Sequence, residues 1–345
     1  MPVQNPGRCD RIAIALLSLI LLLAPPYAIA MAQTPFRPLP PPPQGTPIPQ
    51  IAPRAAPDVG PGLDTSGGAA AAAAPSGVMA IRGMAIDGAT AFPPDTLQRI
   101  VGDLTGPAVS LARVEAARAG LLGLYRDAGY TFTTVDAVLR ADGVLHFVVG
   151  ESQVTEVLLD GDIGPAGAQV LRFLNHLKAV RPLDVASLER WLLLAKDIPG
   201  VTVRPVLRPS GTGPGALTLV AQVSRQPISG YVTADNRAAG LNGPEQALGV
   251  VQFNSFTSLG QRTELSLFGA ARFSQIFGQA STEFFAGDSG LRIRLYAGHG
   301  AAQPSGVLGG IGYLGETTIA GAGASYPLLR RRAYSLSLEA GFDLI

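Results

Sequence analysis

From Ile228 to Ile345 apolar and polar residues alternate with a period of two. Leu291, Ile293, Leu295 and Ala297 share one face while Arg292 and Arg294 take the other, which is the side-chain geometry of a strand. Tyr334 to Leu344 repeats the pattern, with Leu336, Leu338 and Phe342 set against Ser337, Glu339 and Asp343. Leu265 and Leu267 against Glu264 and Ser266 make a third case. A tilted strand needs about 9 to 11 residues to cross a hydrocarbon core, whereas soluble strands average about 5 to 6. Segment 227–345 is therefore expected to be the wall of an antiparallel transmembrane β-barrel, with room for about seven strands.

Between Val78 and Ser224 the period lengthens and the sequence repeats. A shift of 71 residues places Val114 on Val185, Leu121 on Leu192, Phe132 on Val203, Val135 on Val206 and Gly129 on Gly200. Ile86-Asp87-Gly88 meets Leu159-Asp160-Gly161 at a shift of 73. An ordered series of matches of this kind marks two copies of one module. Each copy reads as a strand ending at Asp-Gly, a helix, a second helix capped by Ser110 or Asp184, a glycine stop, then two strands. In the second helix of the first copy, Val114, Ala117, Leu121, Leu122 and Tyr125 fall on one face, as a core-facing helix requires. The fold class is thus α+β, with β-α-α-β-β modules over 78–151 and 152–226. Trp191, on the second copy's second helix, is expected in the core or at a domain contact.

The first 32 residues combine Arg8 and Arg11, an apolar run from Ile12 to Ala24, and small residues around Ala30 and Ala32. That layout is a signal peptide cleaved after Ala30 or Ala32, and about thirteen apolar residues cannot span a core that needs about 20. The stretch 33–77, rich in Pro and then Gly and Ala, has no apolar periodicity and is expected to be a tether.

Composition narrows the function classes. A net charge of +1 argues against nucleic-acid binding. Glycine (42) and proline (29) make up a fifth of the 345 residues and charged residues only 15%, a balance suited to lipid-exposed β-structure and a linker. Cys9, the only cysteine, lies in the segment expected to be removed, so no disulfide or thiolate chemistry is expected in the mature chain. With three scattered histidines, no metal site and no cofactor are expected either.

Three motifs look like chemistry and are read otherwise. Gly287-Asp288-Ser289-Gly290 copies a serine-protease nucleophile segment, but His146 and His176 lie in no setting that would supply its base, and the residues fall between two alternating strands. Gly310, Gly312 and Gly315 have dinucleotide-loop spacing, yet strand and not helix follows. Arg330-Arg331-Arg332 is expected to form a solvated turn or to meet lipid head groups. No catalytic residue is expected.

The order of these features resembles the two-partner secretion transporters, the hemolysin secretion and activation proteins of ShlB and FhaC type. Leu121 to Tyr130 looks like the family's helix-to-strand signature, Gly143 to Glu151 like its closing strand with a Val-x-Gly-Glu end, and Asp197-Ile198-Pro199-Gly200 like its second module's stop. The likeness covers about Ile81 to Ile345. It implies two polypeptide-transport-associated (POTRA) domains before an outer-membrane barrel, with the modules in the periplasm and a secreted exoprotein as partner. A monomer in contact with outer-membrane lipid is expected. Family barrels have sixteen strands, so about seven imply a fragment or a second chain; a Val-Arg-Gly-Tyr-type pore-loop motif and a plug helix have no counterpart here. The second strand of the first module is the expected client edge, at Tyr130, Phe132, Thr133, Thr134, Val135 and Leu139. The alternatives are an outer-membrane assembly factor and a soluble periplasmic binding or scaffold protein.

Overall fold

The computed structural model describes residues 77–237, 244–303, 310–312 and 314–345. The expected signal peptide with Ala30 and Ala32, and the tether apart from Gly77, lie outside the described residues.

The first module comprises β1 (Val78–Ile81), β2 (Gly83–Asp87), α1 (Pro94–Val101), β3 (Gly106–Ser110), α2 (Leu111–Asp127), β4 (Thr134–Leu139) and β5 (Val144–Gly150). The second comprises β6 (Gln153–Asp160), α3 (Ala166–Asn175), a 3-10 turn (His176–Ala179), α4 (Val185–Lys196), β7 (Val201–Pro209) and β8 (Ala216–Arg225). Their sheets have the same plan. β5 runs parallel to β2 and antiparallel to β4, and β8 runs parallel to β6 and antiparallel to β7. The helices close one face of each sheet. Val114, Ala117, Leu121 and Tyr125 of α2 bury against Phe147, and Leu188 and Leu192 of α4 bury with Phe173 and Leu219.

Local sequence accounts for the element ends. Asp184 accepts a hydrogen bond from the Ser187 amide (2.7 Å) and caps α4, whereas Ser110 stands at the start of α2 without a side-chain cap. Gly129, at φ 92°, turns the chain out of α2, and the Tyr130 amide donates back to Tyr125 O (2.9 Å). Gly88 (φ 80°) and Gly161 (φ 117°) occupy the same place in the two modules. A Cβ there would stand 2.4 Å from Val149 O or Val223 O, so both positions need glycine for φ and for space.

The repeat is real, but its strand register differs from the uniform shift of 71. Val149 and Val223 are equivalent through those two glycines, and they pair with Val135 and Val203 respectively. Val135 is therefore the counterpart of Val203 and not of Val206. Between Gly129 and this strand the first module carries three more residues than the second has after Gly200. The β1–β3 ribbon is a further addition of the first module.

The third part is a seven-stranded antiparallel meander: β9 (Ile228–Asp235), β10 (Gln246–Asn254), β11 (Arg262–Ala270), β12 (Gln275–Phe285), β13 (Arg292–Ala302), β14 (Gly315–Arg330) and β15 (Ser335–Leu344). The alternation read from sequence becomes two faces. Leu265 pairs with Val251 and Ala280 on one; on the other, Gln252 donates to Glu264 (2.7 Å) and Glu283 lies 3.5 Å from Arg292. Among the described residues no helix is long and apolar enough to cross a membrane, which says nothing of strands. Gly287 to Gly290 forms the turn between β12 and β13, and residue 313 of the Gly310–Gly315 motif lies outside the described residues.

Candidate docking edge and its supports

Among the described residues β4 pairs only with β5 and so ends the first module's sheet. The Arg140 amide donates to Val144 O (3.0 Å) at the hairpin end. Because antiparallel bonding alternates along a strand, Thr134, Asp136 and Val138 then bond to β5. Val135, Ala137 and Leu139 aim their N–H and C=O groups outward. One of these outward acceptors is occupied: Arg118 Nη1, from α2, donates to Val135 O (3.2 Å). Arg118 is in turn held by Glu115 one turn earlier, and that pairing holds the Glu115 carboxyl below its usual range.

The expected edge residues divide into two groups. Thr134, Val135 and Leu139 are on the edge strand, with Thr134 and Leu139 exposed and the Val135 side chain turned into the core. Tyr130, Phe132 and Thr133 precede it in the three-residue addition and its flank. Tyr130 packs edge-on against Phe92 and Tyr125, with centroids 6.2 and 6.1 Å away. Phe132 packs against the second module's core, and its carbonyl accepts from the Ser152 hydroxyl. Thr133 is buried.

These residues belong to a cross-braced junction. Val185 N donates to Gly129 O (3.1 Å) and Leu183 N to Ser152 O (2.6 Å). At the end of β5 the Glu151 carboxylate accepts from Thr90 N (2.7 Å), Ala91 N (2.8 Å) and Tyr125 OH (2.7 Å). Burial pushes its pKa up, but the hydrogen bonds from Thr90, Tyr125 and Ala91 outweigh that and hold it below the usual carboxylate range. Burial and the same carboxylate push the Tyr125 hydroxyl far above its ordinary value, so it remains a donor. Neither Arg118 nor Glu151 was singled out from sequence; only the i, i+3 spacing of Glu115 and Arg118, and the Val-x-Gly-Glu end, carried a signal.

The second module also grips the turns of the meander. Phe285, at the end of β12, is buried in that module's core, edge-on to Phe173 at 5.1 Å. Buried Gln169 donates to Gly287 O (3.0 Å), and Arg225 donates to Ser255 O (2.9 Å) while lying over Phe256. His176 stacks on Trp191 at 3.9 Å, and its Nε2 lies 3.2 Å from Asp288, close enough to pair but out of line for a hydrogen bond. The arginine triplet is not merely solvated. Arg330 makes a two-pronged pair with Asp197 (2.8 and 2.9 Å), and Arg332 lies 3.9 Å from Glu189. Sequence could not reveal these partners, more than a hundred residues away.

Residues 79–152 match the family of ShlB-type POTRA domains. No curated protein matches the chain. Among solved structures, CdiB from Escherichia coli is similar at 18% identity and TM-score 0.60, over 81% of this chain and 52% of that one. CdiB from Acinetobacter baumannii is similar at 11% identity and TM-score 0.50, over 78% of this chain and 54% of that one. The chain thus spans about half the length of the solved structures it matches. The resemblance found in the sequence holds at the level of the domain and of the fold.

Proposed function

We propose that this chain, with a ShlB-type POTRA domain at residues 79–152 and the fold of the CdiB structures, is part of an outer-membrane transporter that receives an unfolded exoprotein in the periplasm. The observation that carries the docking step is the β4 edge. Outward backbone groups at Val135, Ala137 and Leu139 recur every second residue, about 7 Å apart, and fit an extended chain adding as a fourth strand. Function on this reading lies in surfaces and not in catalysis. The apolar face of the meander meets lipid, the polar face lines the route of a complete barrel, and the two modules stand in the periplasm after cleavage at Ala30 or Ala32. A hemolysin- or hemagglutinin-type client is the finer form of the proposal.

The test uses the outward position whose side chain is smallest. Ala137→Pro removes an outward N–H while leaving the β4–β5 bonds intact, unlike a proline at Thr134, whose amide faces β5. Losing that donor and displacing its neighbours should weaken binding of an unfolded polypeptide about tenfold. Fluorescence titration of the full chain in detergent with reduced, carboxymethylated α-lactalbumin measures it. Unchanged affinity in the folded variant would remove β4 as the docking edge.

A further inference from the structure

The two modules present equivalent strands at equivalent sheet edges, and the edges differ chemically. Among the described residues β7 pairs only with β8. Ser210 N donates to Ala216 O (2.9 Å) at one end of this ladder and Gln226 N to Gly200 O (2.7 Å) at the other. Both ends lie in one continuous register, so the even-numbered residues of β7 bond to β8 and Val201, Val203, Pro205, Leu207 and Pro209 face outward. The Val201 amide already donates to Ile198 O (3.1 Å), and two of the other four outward positions have no N–H to offer. On β4 every outward residue keeps its donor. Since Val135 corresponds to Val203, Pro205 stands where the first module has Ala137.

Proline at an outward edge position does not weaken its own sheet; it denies the edge to another strand. The exposed arginines Arg204 and Arg208 alternate with the prolines along β7, adding charge to the same edge. No corresponding obstruction is built into the β4 backbone, where Arg118 supplies a side-chain cap on a single carbonyl. A side chain can swing away, and a pyrrolidine ring cannot.

We propose that an extended polypeptide is accepted on β4 and refused on β7, with Pro205 the residue that refuses it. This rests on the docking reading above and adds to it a choice between the two modules. The occupant is an unfolded backbone, because what β4 offers is a row of alternating amide donors and carbonyl acceptors.

Backbone hydrogen exchange, read on the full chain in detergent with and without reduced, carboxymethylated α-lactalbumin, tests the choice. The probe should slow exchange at Val135, Ala137 and Leu139 and leave Val203 and Leu207 unchanged. Pro205→Ala with Pro209→Ala should bring Val203 and Leu207 under protection as well, and Ala137→Pro should abolish protection on β4 alone. Equal slowing of β4 and β7 in the unaltered chain would overturn the choice while leaving docking in place, as would an opened β7 that gains no protection. Slowing of neither strand would overturn the docking reading and this inference with it. Protection of β4 that grows with protein concentration, without probe, would assign the edge to a second copy of the chain and overturn the inference.

Discussion

Glu151 gathers donors from a loop, at Thr90 and Ala91, and from a core helix, at Tyr125, into one carboxylate. Its folded pKa lies below the unfolded value of 4.5. The stability it contributes is therefore fully present above about pH 4.5 and lost as pH falls through the folded value. Glu151→Gln should cost the first module about 1–2 kcal/mol at neutral pH, because an amide cannot accept from all these donors. The difference from the unaltered chain should vanish at low pH, as read by hydrogen exchange across residues 134–150. A difference independent of pH would place the effect in packing instead. Gly161 makes a different demand, since a side chain there meets Val223 O and the backbone is left-handed. Gly161→Ala should destabilise the second module by at least about 2 kcal/mol in a denaturant melt, and a neutral result would show that the strand ends can part.

At the scale of elements, what was legible followed from periodicity. The face of α2, the long strands around Leu265, Ile293 and Leu338, and the Asp-Gly strand ends are all set by local residues and are found where periodicity places them. What was not legible needed a partner or a direction. The β1 strand, with only four residues, is too short to carry a period. The uniform shift sets Phe132 on Val203 because Phe132 has strand-like chemistry; the structure packs that ring against the neighbouring module's core. The choice between Thr134 and Ala137 depends on which way an amide points, and no composition reveals that. Pro205 could be seen as an edge signal, but its equivalence to Ala137 emerged only from strand pairing.

At the scale of the molecule, the second module and the meander are joined by a core residue and by charge. Asp197 and Arg330 are each about three-quarters covered, with side-chain exposures of 22% and 24%, and their geometry is bidentate. Removing either should cost about 1–2 kcal/mol, and the double Asp197→Ala, Arg330→Ala variant should cost less than the two single losses together. Thermal unfolding of the full chain in detergent measures the coupling, and strict additivity would deny it. The β4 strand was thus approximately legible in sequence, while most of the contacts that brace it were not, because apart from the Glu115–Arg118 pair they join residues from different elements.

The second module touches the turns after β10, β12 and β14, each two strands from the next. Neighbouring strands lie about 4.8 Å apart, so the three holds are spaced about 10 Å along the rim. The module therefore holds this end of the sheet at three evenly spaced points.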